Sequence, residues 1–325
     1  MAEESGLPPD AHGTIVTVGT FDGVHRGHQD VLTRLVRRSR EVGLPSLLVT
    51  FDPHPLEVVN PAAAPPLLTV GDEKLEVLAE SGLEYLAIVP FTPTLREYGA
   101  EEFVDEVLRR RFRMRELSIG YDHGFGRGRE GDVEVLLALG ARRGFRVDVI
   151  PPVTLDGGPP VSSTSIRRAV AGGDLARAAL GLGRPYSVGG QVIHGEQRGR
   201  LLGYPTINLS SPPPRKLLPP AGVYAVRVQT PAGPFGGMMN LGGRPTFGDE
   251  RLSLEVHLFD AHVDLYGAYT RVEFIARLRD VVRFPDIEAL RAQLAHDEDA
   301  ARRALTPLLS PDNLRSSTRD LTSSP

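Results

Sequence analysis

The sequence has no cysteine and no run of 18 apolar residues, and both absences narrow the possible functions. Without cysteine there are no disulfides, no thiolate zinc sites and no thiol nucleophile. The apolar runs are too short for a membrane-spanning helix, and the first residues lack the charged-then-apolar pattern of a secretory signal. We therefore expect a cytoplasmic protein with no membrane partner.

Lysine is almost absent as well. Of the 37 basic residues only Lys74 and Lys216 are lysine, and the other 35 are arginine. Neither lysine stands in Gly-Lys-Ser/Thr, which excludes a P-loop. A nucleoside triphosphate would therefore be held by backbone amides, histidine, arginine and Mg²⁺. The net charge of −4, and the lack of a basic run interleaved with aromatic residues, predict no nucleic-acid partner.

The length of 325 residues predicts about two domains. In the first, residues 14–182, short β-type runs alternate with helical patterns, which is typical of a parallel sheet covered by helices. Its predicted strands are residues 14–18, 46–51, 84–89, 117–121 and 146–150, and its predicted helices include residues 27–42 and 100–112.

The pattern changes near residue 182. In the second domain, residues 183–305, β-type segments are separated by Gly/Pro turns, which predicts an antiparallel β-barrel. The predicted strands are residues 186–193, 223–229, 235–241, 252–259 and 271–278. A C-terminal helix is expected to follow Asp286 as its N-cap. Residues 306–325 are polar and are predicted to form a disordered tail.

The strongest N-terminal motif is residues 19–28, GTFDGVHRGH, between a predicted strand and a predicted helix. Gly19 and Gly27 allow a ligand to approach the backbone closely, and the helix N-terminus favours an anion. His25 and His28 are three residues apart, so both can face one phosphate and stabilise charge on it. A metal pair, or two incidental surface histidines, is the alternative interpretation.

Residues 162–167, SSTSIR, follow the fifth predicted strand and open another helix. The hydroxyls of Ser163 and Thr164, the free backbone amides and Arg167 could hold a polyphosphate. Taken alone, the segment is more simply a serine-rich helix cap.

Together these two motifs resemble the HxGH and ISSTxIR signatures of the nucleotidylyltransferase superfamily. The resemblance implies that a substrate phosphate attacks the α-phosphorus of ATP and that pyrophosphate leaves, with positioning and charge stabilisation supplied by the protein. It also implies a Rossmann-like parallel sheet. His25 and His28 would be catalytic, and the ATP-binding residues would be Gly19, Phe21, Asp22, Gly27, Ser163, Thr164 and Arg167.

Two further segments are similar to bacterial FAD synthetases: residues 50–55, TFDPHP, and residues 120–126, GYDHGFG. Both end predicted strands, where an open α/β sheet binds ligands. The resemblance implies that the flavin is bound by Phe51, Pro53, His54, Asp122 and Phe125. His123 departs from the family pattern, because it replaces an aromatic residue. Each segment alone could be a simple Pro- or Gly-stabilised turn.

In the second domain, residues 199–208, GRLLGYPTIN, resemble the G-(F/Y)-P-T-A-N motif of riboflavin kinases. Thr206 and Asn208 alternate along an extended segment, so their polar ends point to one side, and their oxygens suit Mg²⁺ beside ATP phosphates. The resemblance implies that Gly203 and Pro205 contact ATP. Ile207 replaces the usual alanine and should face the opposite side. A strand entry without chemistry is the alternative.

Residues 240–246, NLGGRPT, and 255–260, EVHLFD, match the same family. By resemblance Asn240 binds the flavin, and Glu255 is the general base that takes a proton from the ribityl hydroxyl. Without the family, Glu255 would be interpreted as a solvated glutamate on a strand face.

The motifs occur in the order found in bifunctional bacterial riboflavin kinase/FAD synthetases. The resemblance implies a kinase that makes FMN from riboflavin and ATP, and an adenylyltransferase that makes FAD from FMN and ATP, with Mg²⁺ accompanying the ATP. One alternative is an adenylyltransferase for another phosphate, which leaves the Pro-Thr-Ile-Asn half without a role. Another is a flavin-sensing module that has lost catalysis. The oligomeric state is not predicted.

Overall fold

The computed structural model describes residues 7–8, 11–155, 157–195, 198–244 and 249–306. The predicted tail, residues 306–325, lies outside the described residues except for its first. The chain divides into two compact units, Met1–Ser165 and Ile166–Pro325. The predicted architecture, a parallel α/β unit followed by an antiparallel barrel with a C-terminal helix, is confirmed.

Five parallel strands form the sheet of the first unit in the order β3-β2-β1-β4-β5. The strands are β1 (Thr14–Val18), β2 (Ser46–Asp52), β3 (Tyr85–Pro90), β4 (Met114–Gly120) and β5 (Arg146–Ile150). All five lie where the sequence predicts strands. From β1 the strand order runs to β2 and β3 on one side of the sheet and to β4 and β5 on the other. In open α/β sheets, ligands bind where the strand order changes direction in this way, beyond the carboxyl ends of the strands.

Helices cover both faces of this sheet. The helices along this part of the chain are α1 (Arg26–Val42), α2 (Pro55–Val59), α3 (Gly71–Ala79), α4 (Pro93–Arg96), α5 (Ala100–Glu102) and α6 (Val133–Arg143). They are followed by α7 (Ser163–Ala171), which starts at the end of the first unit. Leu32 and Leu35 of α1 pack with Ile15 on one face, while Val16 on the next position of β1 belongs to the cluster on the other face. The predicted helix 100–112 is present, but its residues Phe103–Arg111 are π-helical.

The second unit is a closed barrel with the strand order β10-β7-β6-β11-β8-β9. Its strands are β6 (Tyr186–Ile193), β7 (Ile207–Leu209), β8 (Gly222–Thr230), β9 (Gly233–Arg244), β10 (Asp249–Leu258) and β11 (Tyr269–Arg279). Tyr224, Met239 and Val256 pair across neighbouring strands and are fully buried, so they fill the interior.

Three helices accompany the barrel: α8 (Leu175–Leu182), α9 (Arg198–Leu201) and α10 (Ile287–Leu305). Asp286 caps α10 as predicted, accepting a hydrogen bond from the Ala289 amide at 2.8 Å. The helix is fixed to β11 by Asp297, which is 2% exposed and accepts a bidentate hydrogen bond from Arg279.

The domain boundary predicted after residue 182 stays a prediction. The first compact unit ends at Ser165, within α7, and α8 contacts β6 and β11 of the barrel. The segment that the sequence assigns to the end of the first domain therefore lies in the second compact unit.

Candidate active sites

The loop between β1 and α1 holds the predicted histidine pair. Its backbone is unusual, since Phe21 and Val24 adopt positive φ values of 46° and 41° without being glycine. Such conformations persist only where surrounding contacts fix them, and they cluster at functional sites. His25 ends the loop as the N-cap of α1, and its Nδ1 accepts a hydrogen bond from the His28 amide at 3.4 Å.

The two imidazoles stack on one another. The ring centroids of His25 and His28 are 3.7 Å apart with an interplanar angle of 18°, and Phe21 stacks on the other side of His28 at 4.5 Å. A side chain at Gly27 would crowd this pair, because a Cβ there would lie 3.1 Å from His25 Cε1. The glycine of the motif therefore leaves room for the stacked rings.

His28 is held in its neutral form. Burial, followed by the charges of His25 and Lys74, keeps the pKa of His28 well below the ordinary value of 6.5. Its Nδ1 is buried and has no hydrogen-bond partner within the described ranges. An unsatisfied buried nitrogen costs free energy, and a polar ligand beside it removes that cost.

Asp22 and Ser163 make hydrogen bonds that connect the same loop to neighbouring segments. The carboxylate of Asp22 accepts hydrogen bonds from the amides of Leu68 and Thr69 at 2.8 and 3.1 Å. The hydroxyl of Ser163, at the start of α7, donates to the Asp22 carbonyl at 2.9 Å. These contacts give Asp22 a role in shaping the loop, while its predicted contact with ATP stays a prediction.

The start of α7 presents the other predicted phosphate ligands. Ser162 caps the helix through the hydrogen bond from the Ser165 amide to its hydroxyl at 3.2 Å. Thr164 is exposed in the first turn, and Arg167 is half-buried one turn later on the same helix. The helix-cap interpretation is thus correct for Ser162, and it leaves Ser163 and Thr164 beside the free amides of the first turn.

Lys74 on α3 also reaches this loop, although it belongs to none of the sequence motifs. Its Nζ donates to the Thr20 carbonyl at 2.8 Å and to the Thr50 hydroxyl at 3.0 Å. Burial lowers the pKa of Lys74, against the charges of Asp22 and Asp52, which raise it. The one signal in the sequence was its rarity, since nearly every other cation is arginine.

Aromatic rings gather at the carboxyl edge of the sheet, where the flavin is expected. The ring centroid of Phe51, at the end of β2, lies 5.5 Å from that of Phe91 and 6.1 Å from that of Phe103. The ring centroids of Phe103 and Phe125 are 5.0 Å apart. We call Phe51, Phe91, Phe103 and Phe125 the aromatic cluster. The sequence predicts Phe51 and Phe125 but not the other two, because the contacts join separate elements.

His123, the residue that departs from the family pattern, lies against this cluster, 5.4 Å from the Phe125 ring. Burial, and then the charge of Arg129, lowers the pKa of His123 to about 4. Its Nε2 is buried without a hydrogen-bond partner in the part of the chain that the structure describes. The ring is therefore neutral at pH 7 and has a polar atom to offer to a ligand.

The other predicted flavin contacts lie near the cluster in the chain but have different surroundings. His54 is the N-cap of α2 and accepts a hydrogen bond from the Leu56 amide at 3.2 Å. Pro53 and Asp122 are exposed, and the Asp122 carbonyl accepts from Arg129 at 3.1 Å. Their contacts with a flavin stay predictions.

In the barrel, three predicted residues form one row across adjacent strands. Glu255 of β10 pairs directly with Asn208 of β7 on one side and with Asn240 of β9 on the other. Directly opposed residues of antiparallel strands share a face. Leu254 and Val256, on either side of Glu255, are buried in the interior, so the row Asn208–Glu255–Asn240 faces outward.

Neighbouring groups hold this row in place. The Ser253 hydroxyl donates to Glu255 Oε1 at 2.6 Å, and His257, the next outward residue on β10, donates from Nδ1 to the Pro205 carbonyl at 2.7 Å. A Cβ at Gly195 would collide with the side-chain amide of Asn208. Ser253 and His257 are not among the predicted site residues, because their positions beside the row follow from strand register.

The predicted Mg²⁺ ligands sit at the entry to β7. Asn208 is 9% exposed, Thr206 is half-buried, and Gly203 and Pro205 of the preceding turn are exposed. Ile207 pairs with the interior-facing Val256, so it points away from Asn208, as predicted. Glu255 and Asn208 thereby place a carboxylate next to a side-chain amide on the outer face of the barrel.

Two family models match the chain. Residues 7–165 match the model described as FAD synthetase, and residues 182–305 match the model described as riboflavin kinase.

Curated relatives match over nearly the whole chain. The bifunctional riboflavin kinase/FMN adenylyltransferase of Escherichia coli (strain K12) is 40% identical over 292 residues, which are 89% of this chain and 92% of the relative. The protein of the same description from Pseudomonas fluorescens is 40% identical over 302 residues, which are 93% of this chain and 96% of the relative.

A solved structure from Streptococcus pneumoniae, described as a macrolide-efflux protein, matches with a TM-score of 0.80 at 30% identity. It covers 93% of this chain and 97% of that chain. Among the residues described, no helix combines the length and apolarity needed to cross a membrane.

Proposed function

Because the chain belongs to the family of bifunctional riboflavin kinase/FMN adenylyltransferases, we propose that it phosphorylates riboflavin with ATP and then adenylylates the resulting FMN with a second ATP. The first reaction belongs to the barrel and the second to the α/β unit. The products are FMN with ADP, and FAD with pyrophosphate.

In adenylyl transfer, a phosphate oxygen of FMN attacks the α-phosphorus of ATP, and the bond to pyrophosphate breaks. No covalent enzyme intermediate is needed, so the protein contributes positioning and charge stabilisation. His28, unsatisfied at Nδ1, can donate from that nitrogen to a phosphate oxygen, and a bound anion raises the pKa of the imidazole towards protonation. The aromatic cluster and His123 supply an apolar surface for a flavin ring.

In phosphoryl transfer, the terminal ribityl hydroxyl of riboflavin attacks the γ-phosphorus of ATP. Glu255 takes the hydroxyl proton as the new P–O bond forms and ADP leaves. The hydrogen bond from Ser253 fixes one oxygen of the Glu255 carboxylate. Asn240, next in the row, is close enough along the strand pair to orient the flavin substrate.

Mg²⁺ fits the oxygen donors of Thr206 and Asn208 at the entry to β7. Magnesium prefers oxygen ligands and is usually held by a few protein groups together with substrate phosphates. The Thr206 hydroxyl and the Asn208 carbonyl oxygen would hold it, and its charge would offset that of the ATP phosphates. We place the protein in the cytoplasm, where its nucleotide substrates are found.

The observation that carries the proposal is the row Asn208–Glu255–Asn240 on a chain whose first unit carries the paired imidazoles. An adenylyltransferase for a non-flavin phosphate has no use for such a row. The test is to incubate the protein with riboflavin and MgATP and to separate the flavins by chromatography. We expect FMN first and FAD later. Flavin bound without turnover would instead support a sensor, and FAD from FMN without FMN from riboflavin would remove the kinase.

A further inference from the structure

Lys74 is one of only two lysines in a chain with 35 arginines. Arginine and lysine are exchangeable on an exposed surface but not where the shape of the cation matters. Both lysines are at least half-buried: Lys216 is 6% exposed with its ammonium 4.5 Å over the Tyr186 ring, and Lys74 is half-buried beside the β1–α1 loop. The partly buried position of Lys74 therefore makes the shape of its cation matter.

The geometry shows what the ammonium does. It joins the Thr20 carbonyl, within the loop after β1, to the Thr50 hydroxyl near the end of β2, at 2.8 and 3.0 Å. An ammonium has three N–H donors. Within the described residues only these two acceptors lie at hydrogen-bond distance, so one donor is left over. The planar donors of a guanidinium cannot reproduce this arrangement.

Burial and neighbouring charges act on the Lys74 ammonium in opposite directions. Burial lowers the pKa of Lys74, the charges of Asp22 and Asp52 raise it, and the lysine charge in turn acts on His28. The site thus has an ammonium group close enough to His28 to act on that imidazole, whose ring is itself neutral.

We propose that Lys74 is a substrate-binding residue of the adenylyl-transfer site, whose ammonium donates its remaining N–H to a phosphate oxygen of ATP or FMN. This inference rests on the proposed function. No bond of the lysine is made or broken, and its charge offsets the negative charge of the reacting phosphates.

The test compares Lys74→Met, which keeps the stem and removes the charge, with Lys74→Arg and with Asp72→Asn, an exposed change on the same helix. Removing a charge-assisted hydrogen bond should lower kcat/KM for FAD formation about 10- to 100-fold. Lys74→Arg should recover part of this loss, and Asp72→Asn should match the wild type. FMN formation by the same preparations reports whether the chain is folded.

If Lys74 contacts a phosphate, its removal should weaken only the ligands that carry a phosphate. If Lys74 merely holds the loop in place, its removal should weaken the binding of adenosine as well. We expect KM for ATP or FMN to rise in Lys74→Met while the inhibition constant of adenosine against FAD formation stays unchanged. A rise in KM for ATP alone assigns the contact to the nucleotide, and a rise for FMN alone assigns it to the flavin phosphate. If Lys74→Met loses FMN formation too, Lys74→Gln takes its place in the comparison.

Either of two results overturns the proposal: kcat/KM within twofold of the wild type, or an adenosine inhibition constant that rises by the same factor as KM for ATP. A wild-type protein that makes no FAD would instead refute the proposed function.

Discussion

At the residue scale, the two sites depend on side chains in opposite states. His28 is buried with an unsatisfied nitrogen, whereas Glu255 already accepts a hydrogen bond from Ser253. In the proposed function, the histidine awaits a ligand that completes its hydrogen bonding, and the hydrogen bond from Ser253 holds the glutamate where it would take a proton. Because the two residues belong to different compact units, each substitution has an internal control in the other reaction.

Glu255→Gln keeps the side-chain size and a hydrogen-bond acceptor for Ser253 but cannot take a proton. We expect kcat for FMN formation to fall by about 10²- to 10⁴-fold, the usual contribution of a general base. Adenylylation of added FMN should continue at the wild-type rate. Chromatographic rates with riboflavin and with FMN measure both, and unchanged kinase turnover would remove Glu255 from the role of base.

His28→Ala removes the imidazole that we propose contacts the reacting phosphates. FAD formation from FMN should fall by about 10²- to 10³-fold, the effect of losing one donor that stabilises developing charge. FMN formation from riboflavin should persist. Equal loss of both activities would contradict the assignment of the two reactions to separate sites.

His123 predicts a pH dependence of stability. Its pKa is about 4 in the folded chain and near 6.5 when exposed, so the unfolded chain binds the additional proton between these values. Stability should therefore fall as the pH drops from 6.5 to 4, by on the order of 2 kcal/mol. His123→Phe should lose less stability over the same window in urea unfolding, and identical pH profiles would rule out this contribution.

At the element scale, helix type and strand length were the hardest features to predict. The apolar pattern of residues 100–112 indicates a helix, but it does not distinguish the π-helical Phe103–Arg111 from an α-helix, because one face is buried in either. The strand β7 has three residues and follows a Gly/Pro turn, so only its alternating pattern was visible. The long strands and α10 were predictable because hydrophobic periodicity and caps are local.

The attachment of α10 gives a prediction with a matched control. Asp297 is buried and paired with Arg279, whereas Asp260 is exposed and paired with Arg302 of the same helix. Asp297→Asn should destabilise the barrel by about 3 kcal/mol because it leaves the cation of Arg279 poorly paired. Asp260→Asn should cost less than about 1 kcal/mol.

Residual FMN-forming activity after heating measures this difference, with FAD formation from FMN as the reference in the same sample. Equal thermal loss in both aspartate variants would show that the buried pair does not hold the helix.

At the scale of the whole molecule, the sequence predicted the order of the two folds but not which distant residues meet. Lys74 lies on α3, 46 residues beyond His28, and no local pattern connects them. Phe91 and Phe103 join the aromatic cluster only through the parallel sheet and the π-helix. Motifs mark residues that are close in the chain, whereas these contacts exist only after the sheet has formed.

The division of the chain predicts how it can be cut. Fragments 1–182 and 183–325 should each fold, and the first should make FAD from FMN. Because α8 packs on β6 and β11 through Leu175, Ala178 and Leu182, a barrel fragment starting at residue 172 should unfold at least about 5 °C higher than one starting at 183.

Circular dichroism during heating measures both transitions. Two unfolded fragments would refute a domain boundary near residue 182, and equal unfolding temperatures for the two barrel fragments would show that α8 contributes nothing to the barrel.

The outward row on three neighbouring strands restricts which changes of length the barrel can accept. Side chains alternate between the two faces of a strand, so inserting or deleting one residue within β10 ahead of Glu255 would turn its carboxylate into the closed apolar interior. The same holds for Asn208 and Asn240 in their own strands. Insertions and deletions that preserve kinase activity should therefore be confined to the hairpin tips, where added residues leave the alternation undisturbed.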